Sequence, residues 1–393
     1  MARAKVANLP LAAAIRRIHI LIFCVSMSTA LVAYVESSFL KERVGEESVG
    51  TLFTVAYLLA IAAMLFLSQL VGRFGKRMIF SSACFLLWVA LIVLALPVPS
   101  GLTITFFVVL VATTWIVTMG LDLALEQHSR DATTGSTRGM YLTAMNLGWV
   151  VTPLIMGFIA QWLGLRAIFL LSAIVTLPLV FFFSSIWKSS DDRKLHHKGA
   201  LWDSVREIVS SPALWRIHAI AFVHQLFFAW MVIYLPLHLR EGMGFSWWSI
   251  GLIFSVMLLP FVLLEFPAGR IADRWLGEKE LLVGGMIIMG ISTIVVGRLN
   301  ATTILPWMSW LFVTRIGASL IESMRDSYFY KHVDSDDVAT IIIFHATWLM
   351  AYVVGPMLAT IFLRMVGYSE LFQILGAIVL CSTVVLWRFP DTK

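Results

Sequence analysis

The sequence predicts an all-α membrane protein with twelve transmembrane helices in two six-helix halves and both termini in the cytoplasm. Three observations carry that reading. Hydrophobic residues make up 60% of the 393 residues and charged residues 13%, with a mean hydropathy of +0.88, whereas a soluble domain carries roughly 25% charged residues. Apolar runs of ~20 residues, the length that crosses a hydrocarbon core, recur along the whole chain. The third observation is repetition. Ser48-Val-Gly-Thr-Leu-Phe-Thr-Val55 returns as Ser249-Ile-Gly-Leu-Ile-Phe-Ser-Val256, Arg17-Ile-His19 as Arg216-Ile-His218, and Tyr34 as Tyr234, at a near-constant offset. A duplicated membrane half marks secondary transporters, whose site lies near the midplane at the repeat interface.

The first apolar run extends from about Ile18 to Leu40. Arg3, Lys5, Arg16 and Arg17 precede it as they would in a secretory signal. Its length, and its counterpart after Arg216, predict an uncleaved first helix. The next five spans start near Ser48, Met78, Leu102, Arg138 and Ala167. Those of the second half start near Pro212, Trp247, Leu281, Ile304, Val338 and Glu370. Pro97-Val-Pro99, Gly242-Met-Gly244 and Gly367-Tyr368 punctuate the short loops.

Lys188 to Ala200 is polar and reads as a solvated linker, its His196-His197 pair lacking the further ligands of a metal site. Leu201, Trp202, Val205, Ile208 and Val209 then oppose Asp203, Arg206 and Glu207 at helical spacing, which predicts an amphipathic helix on the membrane surface. The expected organisation is a first half over 1–187, a linker over 188–211 and a second half over 212–393. Cys24, Cys84 and Cys381 all lie in apolar runs, against a disulfide framework. No cofactor, metal or nucleic-acid partner is expected, and the bilayer is the surrounding medium.

Orientation follows from lysine and arginine placement. With the N-terminus inside, the inner segments collect Arg3 to Arg17, Arg73-Lys76-Arg77, the Lys188–Arg216 stretch and Arg270-Arg274-Lys279. The outer loops hold Lys41, Arg43, Arg166, Arg240, Arg298 and Arg364.

Two loops carry a resemblance. Gly269-Arg-Ile-Ala-Asp273-Arg274-Trp-Leu-Gly277-Glu-Lys279, after the eighth span, resembles the GxxxD(R/K)xxGx(R/K) motif of the major facilitator superfamily. Its first-half counterpart, Ser68-Gln-Leu-Val-Gly72-Arg73-Phe-Gly75-Lys76-Arg77, keeps the basic residues and one glycine but has Gly72 in place of the acid. The resemblance implies the fold of that superfamily and a loop that acts as a latch between conformational states. In the fifth span, Gly139, Gly148, Pro153 and Gly157 match most of a G(x8)G(x3)GP(x2)GG pattern, from which Thr152 and Met156 depart. That pattern resembles the antiporter branch and implies proton-coupled export of drug-like or metabolite substrates. Gly355-Pro356 echoes it in the eleventh span. Small residues at such intervals let helices approach closely in lipid, and proline permits a bend.

Ionisable residues inside a span are costly and are functional candidates. Arg315 lies roughly 15 Å into the tenth span at 1.5 Å per residue. Ser319, Glu322 and Asp326 follow at i+4, i+7 and i+11 on one face. The fourth span sets Trp115, Met119, Asp122 and Glu126 at the same relative places. Two readings of Arg315 are open. It binds an anionic solute or a coupling carboxylate, Glu322 or Glu265 of the eighth span being the candidates; or it forms a permanent structural ion pair. Asp122, Glu126 and Asp326 fall near the inner rim, where capping or gating contacts suffice. His224, Gln225 and Tyr234 of the seventh span, Asn146 and Trp149 of the fifth, and His345 and Trp348 of the eleventh are candidate cavity residues, with Trp115 beside them. They suit an apolar or aromatic solute with a few polar groups.

These features predict a secondary active transporter that moves a small solute, coupled to protons, as a monomer in a bacterial plasma membrane. Uptake by symport is the alternative direction. No GxxxxGK[ST] sequence occurs to bind ATP. A membrane-embedded lipid-modifying enzyme or a scramblase is the rival of another class.

Overall fold

The computed structural model describes residues 11–128, 134–187, 201–272, 276–333 and 338–386. Those residues form fourteen α-helices and no strand. They are α1 (Leu11–Ala33), α2 (Glu36–Val44), α3 (Glu46–Phe74), α4 (Lys76–Ala95), α5 (Ser100–His128), α6 (Thr134–Leu163), α7 (Leu165–Phe182), α8 (Leu201–Ser210), α9 (Pro212–Leu237), α10 (Trp247–Ile271), α11 (Glu278–Val296), α12 (Ile304–His332), α13 (Val338–Leu363) and α14 (Tyr368–Ser382). Twelve are long and apolar enough to cross a membrane, and α8 is the short amphipathic helix the linker sequence predicts. Large apolar side chains such as Phe66, Trp162, Leu305 and Met365 stay exposed, as lipid-facing surfaces require.

Local sequence sets the helix starts. Ser211 caps α9 by accepting from the Leu214 amide at 3.4 Å, with Pro212 in the first turn, where its missing N–H is not needed. Ser246 caps α10 by accepting from the Ser249 amide at 3.1 Å. Gly75 and Gly277 occupy matching places in the repeat and precede α4 and α11 with φ of 87° and 93°. That left-handed backbone is strained for residues with a Cβ, so both loop glycines are needed to turn the chain. The first apolar run differs from expectation. It is two helices, α1 and α2, broken at Tyr34-Val35 where the polar Glu36-Ser37-Ser38 begins.

Contacts divide the chain into two compact units: Met1–Ala33 with Leu59–Leu195, and Tyr34–Leu58 with His196–Lys393. The boundary therefore falls within α3 and not only at the linker. In the first unit, α1 packs against α6 and α7, and α4 against α5 and α7. Gly148 makes the α1–α6 approach possible, since a Cβ there would stand 2.9 Å from the Met27 amide nitrogen. Ser28 and Ser172 join α1 to α7 through hydroxyls 2.6 Å apart, both buried.

In the second unit α12 is packed by α9, α10 and α11, while α13 lies on α9 and α11 on α14. The α11–α12 crossing brings backbones together, and a Cβ on Gly317 would sit 2.5 Å from the Gly285 carbonyl oxygen and 2.6 Å from the Met289 nitrogen. Neither backbone atom can yield without separating the helices. Gly317→Val is therefore expected to destabilise the protein by about 1–3 kcal/mol, the usual cost of overpacking. A thermal melt in detergent checks this, and an unchanged midpoint would show that the crossing has slack.

Candidate functional site

α12 carries four charged residues between Arg315 and Asp326 within a helix otherwise suited to lipid. Arg315 is 0% exposed. Its guanidinium carbon lies over the rings of Phe227 at 4.8 Å and Phe228 at 5.3 Å, both on α9. Among the described residues none of its three nitrogens makes an ion pair or a well-formed hydrogen bond, the Tyr34 side chain being its hydrogen-bonding neighbour. The polar groups that act on it are Tyr34, Tyr352 and Glu322. The nearby hydroxyls on its own helix are spent on backbone, Thr314 donating to the Leu311 carbonyl at 2.6 Å and Ser319 to that of Ile316 at 3.0 Å. Glu322, half-buried, makes no ion pair with Arg315, because seven residues of helix separate them by ~10.5 Å along the axis. The side chain of Glu265, on α10, lies outside the described residues.

Arg325, which the sequence reading passed over, gathers several candidate residues. It too is 0% exposed. It donates through Nε to Asp326 Oδ1 at 2.8 Å and through Nη1 to His224 Nδ1 at 3.0 Å. Arginine only donates, so Nδ1 of His224 is the acceptor, and the ring proton sits on Nε2, which donates to the Ala318 carbonyl at 3.1 Å. The guanidinium carbon also lies 4.9 Å from the ring centre of Trp348, whose buried indole nitrogen has no partner among the described residues. His345 meets the same indole edge-on at 4.8 Å. One arginine thus ties α9, α12 and α13 together through His224, Asp326 and Trp348. The signal for it was present: three arginines or acids already marked this span, and Arg325 follows Glu322 at i+3 on the same helix.

Gln225 is buried. Tyr234 donates to the Pro356 carbonyl at 3.4 Å, and Trp230 Nε1 donates to the Gly355 carbonyl at 2.7 Å. These bonds join α9 to α13 at Gly355-Pro356. α3 enters the same seam at Gly50, where a Cβ would stand 2.6 Å from the Tyr234 hydroxyl and would overlap Thr360. Beyond it, Lys41 pairs with Glu46 at 2.7 Å and with Glu241, and Tyr368 donates to Glu46. Tyr57 stacks on Tyr352 at 4.8 Å.

The first unit holds the remaining candidates. Asp122 accepts from the Tyr141 hydroxyl at 2.6 Å, joining α5 to α6. Trp115, Asn146 and Trp149 are half-buried, and Pro153 sits inside α6. The Glu126 side chain lies outside the described residues. Of the loop residues, Arg73 is exposed over the Phe74 ring at 5.3 Å and Arg77 is half-buried. A Cβ at Gly72 or Gly269 would meet nothing within 4 Å, so neither glycine is required by packing there. Asp273 and Arg274 fall outside the described residues, as do the His196-His197 pair and most of the linker.

The sequence pattern of the Major Facilitator Superfamily matches residues 18–259 and 249–393. The probable sulfoacetate transporter SauU of Cupriavidus necator is 24% identical over 147 residues, 37% of this chain and 34% of that protein. The probable vesicular acetylcholine transporter-B of Danio rerio is 21% identical over 259 residues, 65% of this chain and 52% of that protein. The matched stretches thus span only a third and half of those relatives. Among solved structures, a POT family transporter in complex with 5-aminolevulinic acid is similar with a TM-score of 0.77 at 13% identity, over 97% of this chain and 98% of that one. A POT family transporter in complex with a thioalcohol conjugated peptide is similar with a TM-score of 0.75 at 14% identity, over 94% of each chain. The likeness is one of fold.

The Arg325–His224 bond is expected to couple energetically. In a cycle of Arg325→Met, His224→Phe and the double variant, thermal stabilities should depart from additivity by about 0.5–3 kcal/mol. Additive effects would mean that the bond contributes nothing.

Proposed function

This chain belongs to the Major Facilitator Superfamily, and we propose that it is a secondary active transporter, carrying a small solute across a bacterial inner membrane by alternating access coupled to protons. The observation that carries this reading is the charge on α12. Two arginines that are 0% exposed and two acids occupy one spanning helix, where ionisable groups are costly and are kept for substrate or proton pathways.

Alternating access draws support from the seam of the second unit. α2 and the first part of α3 close onto α9 and α13 through Gly50, Tyr234 and Thr360, with the Lys41–Glu46–Glu241 group at its rim. Such a closure, made of one close glycine approach and a few rim ion pairs, suits a gate that must also part. Rim ion pairs of this exposure contribute about 0–1 kcal/mol each, little enough to exchange for a second set of contacts. The lysine and arginine bias supports cytoplasmic termini. The chain is read as a monomer, a carrier and not an enzyme.

For coupling, Glu322 is the favoured carboxylate, between the two buried arginines in sequence, with Glu265 second. A proton on Glu322 would remove one negative charge from a stripe where Arg315 makes no ion pair among the described residues. The glycine and proline pattern of α6 supports export. The relatives' names do not choose a substrate, since sulfoacetate is an anion and acetylcholine a cation.

Proteoliposomes test the reading. Saturable counterflow of a solute is expected, together with accumulation driven by an imposed pH gradient. Glu322→Gln should keep counterflow and lose the response to the gradient. A variant that accumulates solute as the wild type does would remove Glu322 from coupling, and no saturable flux of any solute would overturn transport itself.

A further inference from the structure

Around Arg315 the second unit places side chains of one chemical kind. The guanidinium is fully buried, its three nitrogens make no well-formed hydrogen bond among the described residues, and aromatic rings cover it at 4.8 and 5.3 Å. The neighbouring groups that bear on it most are two phenols, Tyr34 and Tyr352. Tyr34 is held by the Phe254 ring at 4.6 Å and Tyr352 by Tyr57 at 4.8 Å. Phe228 in turn packs on Phe261 at 6.2 Å. The repeat shows this to be a feature of one half only, for the fourth span carries Trp115 where the tenth has Arg315.

The geometry points to an oxoanion-binding site, in which the head group of an organic monoanion, a carboxylate or a sulfonate, is taken by Arg315 with Tyr34 and Tyr352, and its apolar body lies against Phe227 and Phe228. Charge and shape are complementary at this site. A guanidinium presents parallel N–H groups that match two oxygens of such a head group, and phenol hydroxyls add donors without adding charge. The ring faces stabilise the cation while no anion is bound and offer flat apolar area to the rest of the ligand. A cationic solute would face an unpaired arginine, and a neutral one would leave the donors unmatched. The site deepens the transport reading, since it names the solute that the carrier would move, but its occupancy can be measured without transport.

The test uses the full chain in lipid nanodiscs with four probes of similar size: benzoate, benzenesulfonate, benzylammonium and benzyl alcohol. The two anions are expected to raise the melting temperature in a saturable way, and the other two are not. Arg315→Gln should weaken the anions on the order of tenfold or more, and Arg315→Lys, which keeps the charge but not the fork, by less. Tyr352→Phe, a milder change, should weaken them several-fold and serves where Arg315→Gln does not fold. No stabilisation by either anion, equal stabilisation by benzylammonium, or an undiminished anion effect in Arg315→Gln would each overturn the proposal. Anion binding that depends on Arg315, without counterflow of any solute, would keep the site and remove the carrier. Counterflow of a cation that ignores Arg315→Gln would do the reverse.

Discussion

A buried guanidinium with no carboxylate partner among the described residues is the constraint on which this chain turns. Removing a charge from water costs several kcal/mol even after the surroundings relax, and Arg315 recovers only part of that from the faces of Phe227 and Phe228. The helix that carries it is held on several sides in the second unit. α9, α10 and α11 pack against α12, and the Gly285–Gly317 crossing leaves no room for a side chain. The local cost is supported by the packing of the whole unit.

Arg325 meets the same problem by a different route. It is as deeply buried as Arg315, but Asp326 accepts from its Nε, His224 from its Nη1, and Trp348 covers its face. Ten residues apart on one helix, the two arginines are a paired and an unpaired version of one group. The paired one reads as the part that fixes α9, α12 and α13 against each other. The unpaired one reads as the part that awaits a charge. Glu322 lies between them, so a change in its charge would be felt by both.

Much of the fold was legible in the sequence, because lipid imposes a simple rule: about twenty apolar residues per span and backbone bonds satisfied within each helix. The starts near Trp247, Ile304 and Val338 coincide with helix starts, and Gly75 and Gly277 turn the chain where the loop motif implies. Legibility fails where tertiary contact decides. The polar Glu36-Ser37-Ser38 marks a break in the run from Ile18 to Leu40, but nothing in it announces that Tyr34–Leu58 groups with the second half of the chain. Duplication in sequence speaks of ancestry, and contact speaks of conformation. At the site, Arg315 was conspicuous because it is isolated in an apolar run, whereas Arg325 was hidden by neighbouring acids that looked like a solvated rim. His224 and Trp348 stand out in sequence as cavity residues, and the arginine that gathers them does not.

Arg315 is either a charge kept for a ligand or half of a structural ion pair, and the two cases differ in the sign of one measurement. Melting temperatures of ligand-free wild type and Arg315→Met, in the same detergent, decide between them. Replacing an unpaired buried charge by an apolar side chain of similar length is expected to leave stability unchanged or raise it. Breaking a structural pair would strand its partner and cost about 3–5 kcal/mol. An Arg315→Met protein at least as stable as the wild type, yet unable to exchange solute, is the predicted result. A markedly less stable variant would contradict it.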